Sequence, residues 1–178
     1  MSLKFQSLEE LWRRIDLGTA EEQEKIDGAV LAGESHDSAF VPRLLSLLTD
    51  QSGQARYYAL QSLVLDLKQK DDEVRDLCWN LLGKDSDEDV RAMAATCLGS
   101  IYLGTRSANA FHQLVRELKD PHQPSSVKGS LYTALFKVAG RPPLEWPGLQ
   151  SPWKTFKESG IDWDKVAWLE DQLCTPDI

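Results

Sequence analysis

VPRLLSLLTDQSGQARYYALQSLVLDL, residues 41–67, carries two apolar stripes separated by a polar break. Val41, Leu44, Leu45, Leu47 and Leu48 recur at intervals of three and four residues, which places them on one side of a helix; Ala55, Ala59, Ser62 and Leu63 do the same after the break. The segment reads as a helical hairpin. EVRDLCWNLLGKDSDEDVRAMAATCLGSIYLG at 73–104 repeats it, with Val74, Cys78, Trp79, Leu81 and Leu82 before the break and Val90, Ala94, Cys97, Leu98 and Ile101 after it. NAFHQLVRELKDPHQPSSVKGSLYTALFKVAG at 109–140 repeats it again, through Leu114, Val115 and Leu118, then Val127, Leu131, Ala134, Leu135 and Val138. A two-helix unit of this size cannot bury its stripe alone, so neighbouring hairpins must stack into a shared core.

The second helices align through Ala55-Arg56, Val90-Arg91 and Val127-Lys128, at steps of 35 and 37 residues. The break repeats its chemistry too. Asp50 and Asp85 each lie six residues before the Arg, and Asp120 lies eight before Lys128, with Pro121 and Pro124 taking up the excess. A Leu-rich helix end, an Asp, then Val-Arg-x-x-Ala-x-x-Ala-Leu resembles the HEAT repeat, in three copies over about 100 residues. DVRAMAATCL at 89–98 is the sharpest match, and the third copy departs most, with Lys128 for Arg and Leu131 for Ala. The resemblance implies an all-α, right-handed α-solenoid of about four hairpins whose second helices line the concave side, with Asp and Arg forming a structural ladder. Some HEAT-like proteins are DNA glycosylases with a basic concave channel; this chain has no such basic stripe, and that role is not carried over.

Outward from the repeats, Ser7/Glu10 and Thr19/Glu22 have the spacing of capping boxes and predict helices near 8–16 and 20–32, the second weakened by Gly28 and Gly33. The expected organisation is a single domain over 1–178: an N-terminal capping hairpin at 1–38, three HEAT-like repeats at 39–140 and a C-terminal cap at 141–178. RPPLEWPG at 141–148 has three prolines and predicts an extended run. Two short helices follow, 151–160 from Ser151-Pro152 to Gly160, and 161–173 with Asp162 as cap and Ile161 stapled on Val166. Trp146, Trp153, Trp163 and Trp168 crowd this cap. Either they close the last hairpin, which is the expectation, or they form a partner hot spot.

The 178 residues are 42% hydrophobic and 27% charged, a globular mixture, with a net charge of −8. That charge repels phosphate backbones and anionic headgroups, so neither nucleic acid nor membrane is an expected partner. Cys78, Cys97 and Cys174 are odd in number with no CxxC spacing, which reads as reduced thiols; with charges at Glu9, Glu10, Arg13 and Arg14 in place of a signal peptide, a cytoplasmic protein is expected. Asp85, Asp87 and Asp89 imitate the start of an EF-hand loop, but Val90 stands where Gly is needed and Thr96 where Glu is needed. His36, His112 and His122 show no zinc spacing, and there is no GxSxG, Gly-rich phosphate loop or dinucleotide fingerprint. The expectation is no metal, no cofactor and no catalysis.

What remains is binding. One position off the core stripe Ala59, Leu63, Ala94, Leu98, Leu131 and Leu135, the second helices turn Tyr58, Gln61 and Leu65, then Met93, Thr96 and Ser100, then Ser130, Thr133 and Lys137 outward. With Tyr57, the candidates for partner contact are Tyr57, Tyr58, Gln61, Leu65, Met93, Thr96, Thr133 and Lys137, because aromatic and Met side chains are enriched at interfaces. Asp71, Asp72, Glu73, Asp85, Asp87, Glu88 and Asp89 form the alternative, an acidic edge for a protein with a basic surface, although acids at helix starts also serve the helix dipole. A toxin-neutralising immunity protein is one function of this kind and a scaffold or adaptor subunit another. A HEAT-like lyase or glycosylase would instead need a buried acid beside Tyr57, Tyr58 or a Trp at the mouth of a cavity.

Overall fold

The computed structural model describes residues 8–147 and 160–174. Among them the chain is helical without strands: α1 Leu8–Asp16, α2 Glu22–Ser35, α3 Val41–Leu47, α4 Gly53–Gln61, α5 Asp72–Lys84, α6 Glu88–Ile101, α7 Ala108–Lys119, α8 Ser125–Val138 and α9 Trp163–Cys174. A 3-10 turn at Ser38–Phe40 leads into α3, and α4 runs on through a π turn, Ser62–Asp66. The expected helix at 151–160 with Trp153, the Ser7 half of the first capping box and the Cys174 side chain lie outside the described residues. The prolyl segment is not simply extended: Pro143–Glu145 closes a 3-10 turn, with Pro at the position where a missing N–H costs nothing.

The chain forms two compact units, Met1–Lys70 and Asp71–Ile178. In the first, α1 packs on α2, and α2 packs on α4 and its π turn. Leu11, Trp12, Ile15, Ala29, Ala32, Leu44, Ala59, Leu60 and Leu63 fill its core. Gly28 and Gly33 do not weaken α2; they let it be approached. A Cβ on Gly28 would stand 2.6 Å from Ile15 Cδ1, and one on Gly33 would stand 2.7 Å from both Ser62 Oγ and Asp66 Oδ2. The start of α2 also differs from its predicted Thr19/Glu22 box. Glu21 is the N-cap residue, and its N–H donates to Glu24 Oε2 at 2.9 Å. Glu24 is buried with Arg14 as its ion partner, while Thr19 donates its hydroxyl back to Arg14 O at the end of α1.

In the second unit, hairpins α5–α6 and α7–α8 stack through α6 on α8. The two run parallel and in register: Thr96 Oγ1 lies 3.4 Å from Ser130 Oγ, and a Cβ on Gly99 would stand 2.9 Å from Ala134 Cα. All six expected core positions, Ala59, Leu63, Ala94, Leu98, Leu131 and Leu135, are buried. α9 closes this unit against α7 and α8 by burying Ile161, Val166 and Leu169, with Asp162 Oδ1 accepting from Lys165 N–H at 2.9 Å. Burial of such side chains stabilises by roughly 1.5–3 kcal/mol each. The fold class is an all-α solenoid of stacked helical hairpins. Because the Gly99 contact is with backbone, Gly99→Val should lower the urea midpoint with unchanged slope, a loss of about 1–3 kcal/mol from overpacking.

Candidate functional site

The polar breaks are built alike. Asp50 Oδ1 accepts from Ser52 N–H, Asp85 Oδ1 from Asp87 N–H and Asp120 Oδ1 from His122 N–H, at 2.8–2.9 Å, so each Asp folds its turn through its own carboxylate. The conserved spacing to Arg serves the carbonyl of that Asp. Arg56 Nη1 donates to Asp50 O and Arg91 Nη1 to Asp85 O, both at 2.7 Å. The Arg thus reaches the main chain of its own turn, and Lys128 of the third copy is buried. Asp50 has a further partner in Lys25, 2.6 Å away. Burial alone would raise its pKa, but the Lys25 hydrogen bond, the Ser52 N–H and the charges of Lys25 and Arg56 outweigh that and hold it below the ordinary value.

Second-helix residues expected to face outward divide between the units. On α4, Tyr57 and Tyr58 form an edge-to-face pair with centroids 5.1 Å apart, and they are half-buried, as are Gln61 and, in the π turn, Leu65. In the second unit the corresponding lining is largely sealed: Met93 is 7% exposed, Thr133 6%, and Ser130 is buried as well. These correct the outward assignment, and the reason is that α8 is enclosed by α6, α7 and α9. The hydroxyls turn back on their own helices, Thr133 of α8 to Gly129 O and Thr96 of α6 to Ala92 O. Lys137 is half-buried with its ammonium 5.0 Å from the Trp146 ring, and burial pulls its pKa down.

The acidic residues do not form one edge. Asp71, Asp72 and Glu73 start α5, whereas Asp85, Asp87, Glu88 and Asp89 follow its end, and the 13 residues of α5 separate the two groups by about 20 Å. Several are occupied structurally. Asp71 caps Val74 N–H, Asp87 caps Asp89 and Val90, and Asp72 pairs with Arg75 at 2.8 Å. Glu73, Glu88 and Asp89 face solvent.

Two tryptophans of the cap, Trp163 and Trp168, do not close it. Trp163 and Trp168 remain 42% and 38% exposed, and cations sit against their rings: Lys119 on Trp163, Arg141 and Lys165 on Trp168, at 4.6–5.8 Å. Aliphatic residues of α9 make the seal instead.

One feature had no counterpart in the sequence pattern. Glu9, Glu10, Arg13, Asp16 and Leu17 of the α1 side and Arg43 of α3 line an open groove of about 460 Å³. Arg43 lies 5.9 Å from the Trp12 ring centroid and 5.7 Å from that of Phe40, and it reaches Glu9 at 3.0 Å and Asp16 at 3.5 Å. The acids at 9 and 16 are two turns apart on one helix face; only the tertiary position of Arg43 reveals what they share.

A family model described as HEAT repeats matches residues 41–135, just over half of the chain. The chain belongs to the HEAT-repeat family. Searches of curated proteins and of solved structures gave no match. HEAT repeats are in general protein-interaction modules. No three His, Cys, Asp or Glu among the described residues are grouped to hold a metal ion, and no described helix is long and apolar enough to cross a membrane. Cys78 and Cys97 are buried, and burial together with the neighbouring Cys78 thiol pushes the Cys97 pKa well up, so both act as small core side chains.

Two measurements test the HEAT breaks. Arg91→Ala removes a charged donor from a main-chain carbonyl and should cost about 1.5–3 kcal/mol in chemical denaturation, more than Arg91→Lys. Asp50 has its pKa depressed on folding, so its contribution is complete above the unfolded carboxylate value of about 3.9 and is lost as pH falls through the folded value. The stability difference between wild type and Asp50→Asn should be constant near pH 7 and shrink towards pH 2.

Proposed function

We propose that the protein is a non-catalytic interaction module that neutralises or anchors a partner with a basic surface, with Tyr57 and Tyr58 of α4 as aromatic anchors. The observation that carries this reading is that edge-to-face pair: two adjacent tyrosines, half-buried on the second helix of a HEAT hairpin, with Gln61 and Leu65 following on the same helix. Two rings give contact area at low entropic cost. The burial of Met93, Ser130 and Thr133 removes half of the matching positions of the second unit from the contact surface, and the proposal therefore centres on the first. The net charge of −8 sets the sign of the partner by accelerating encounter with a cationic surface and disfavouring an anionic one.

Occlusion of a toxin domain's basic active site is the specific form favoured here, in the manner of an immunity protein. The carboxylates at the two ends of α5 supply long-range attraction rather than one contact edge. Capture from source cells with the tagged protein tests it: recovery of a basic enzyme domain whose activity falls on adding the protein supports neutralisation, whereas recovery of a multi-subunit assembly replaces it with the adaptor role. Tyr58→Asp should reduce capture at least tenfold while leaving far-ultraviolet circular dichroism unchanged. Full capture by that variant would remove the α4 face from the interface.

A further inference from the structure

The groove between α1 and α3 is assembled without serving the core. Arg43, one of its lining residues, is anchored from behind: the buried Trp12 and Phe40 rings stack with centroids 6.1 Å apart, and Arg43 lies over both. That guanidinium is held in turn by Glu9 and Asp16. On the other wall, Glu10 and Arg13 are paired through two hydrogen bonds of 2.9 and 2.7 Å and neutralise each other. Three carboxylates face two guanidiniums, so the groove keeps one negative charge in excess. Each carboxylate has about four lone-pair positions, so a single contact with Arg43 leaves acceptor capacity on Glu9 and Asp16. At the end of α1, Gly18 at φ 68° turns the chain back, its N–H donating to Ile15 O at 2.9 Å, and Leu17 is left 62% exposed beside the acids. An exposed Leu beside preset carboxylates, in a groove of about 460 Å³, has the size and mixed polarity of a site for one long cationic side chain and an apolar neighbour.

We propose that this groove receives a lysine- or arginine-bearing segment of a partner protein, the cation settling between Glu9 and Asp16 and an adjacent apolar side chain covering Leu17. Charge complementarity selects this occupant, since an anionic segment would meet the excess carboxylate. Residues 1–40, which supply all the lining except Arg43, carry nine acids against four bases. The inference rests on the proposed basic partner for its sign only and makes no use of Tyr57 or Tyr58.

Titrating the full-length ¹⁵N-labelled protein with the capped peptide acetyl-Ala-Leu-Arg-Ala-amide, and with acetyl-Ala-Leu-Glu-Ala-amide as control, tests it by amide chemical shifts. The expected result is saturable shifts confined to residues 9–18 and 40–45 with the Arg peptide and none with the Glu peptide. The Glu9→Gln/Asp16→Asn double variant should weaken binding at least fivefold, and Leu17→Ser, at an exposed position outside the core, should weaken it also. Absence of shifts, equal response to both peptides, or undiminished binding by both variants would overturn the assignment. Tyr58→Asp should leave this titration unchanged. Loss of partner capture with an intact titration, or the converse, therefore tells failure of the α4 reading from failure of this one.

Discussion

Close, parallel approach of one second helix to the next is the constraint from which the rest follows. In the first unit it occurs at Gly33, where the π turn of α4 brings Ser62 and Asp66 to within 2.7 Å of where a Cβ would stand. In the second it occurs at Gly99 against the backbone of Ala134. Packing at this distance works only if the helices start at matching levels, and the repeated break sets the start of α4 and of α6. An Asp folds the turn, an Arg six residues on grips the Asp carbonyl, and the second helix starts at a fixed offset from the first. The Arg suits this place through its reach and its planar fork of donors.

Helix positions and the core were legible because a 3.6-residue period records burial directly. α1 ends where its pattern predicts, and the six stripe residues at 59, 63, 94, 98, 131 and 135 are buried. The start of α2 was less legible because Thr19, Glu21, Glu22 and Glu24 offer overlapping capping registers, and the choice went to the one that lets Glu24 pair with Arg14 in the interior. Gly28 and Gly33 read as helix weakeners for a similar reason: propensity is local, while the atoms that occupy the missing Cβ space come from residues 13 and 29 positions away.

The outward face was where the pattern failed, and α8 shows why. Amphipathicity identifies the side facing the core of one layer; it does not report a third neighbour. Every α8 residue from Val127 to Phe136 is buried, although Lys128, Ser130 and Thr133 are polar, because α6, α7 and α9 surround the helix. Polarity there is accommodated by internal hydrogen bonds, which a sequence pattern cannot separate from exposure. The tryptophans erred in the opposite direction: an apolar body invited burial, but Trp163 and Trp168 share the surface with Lys119, Arg141 and Lys165.

Those rings also bear on where the charge of this chain lies. The α5–α6 hairpin, residues 71–104, has eight acids and three bases, while 105–140 has five bases and two acids. Several bases of the second unit lie against aromatic faces or inside the fold, Lys137 on Trp146 and Lys128 in the interior, whereas Glu73, Glu88 and Asp89 face water. The field felt by an approaching protein is therefore more negative than a uniform spread of these charges would make it, because carboxylates project into solvent while part of the positive charge is drawn inward. The same separation of roles operates in the first unit, where Arg43 is absorbed by Trp12 and Phe40 and the carboxylates beside it remain accessible. Acidity at the surface of this fold is thus a product of where aromatic side chains take up the cations, not only of how many acids the chain contains.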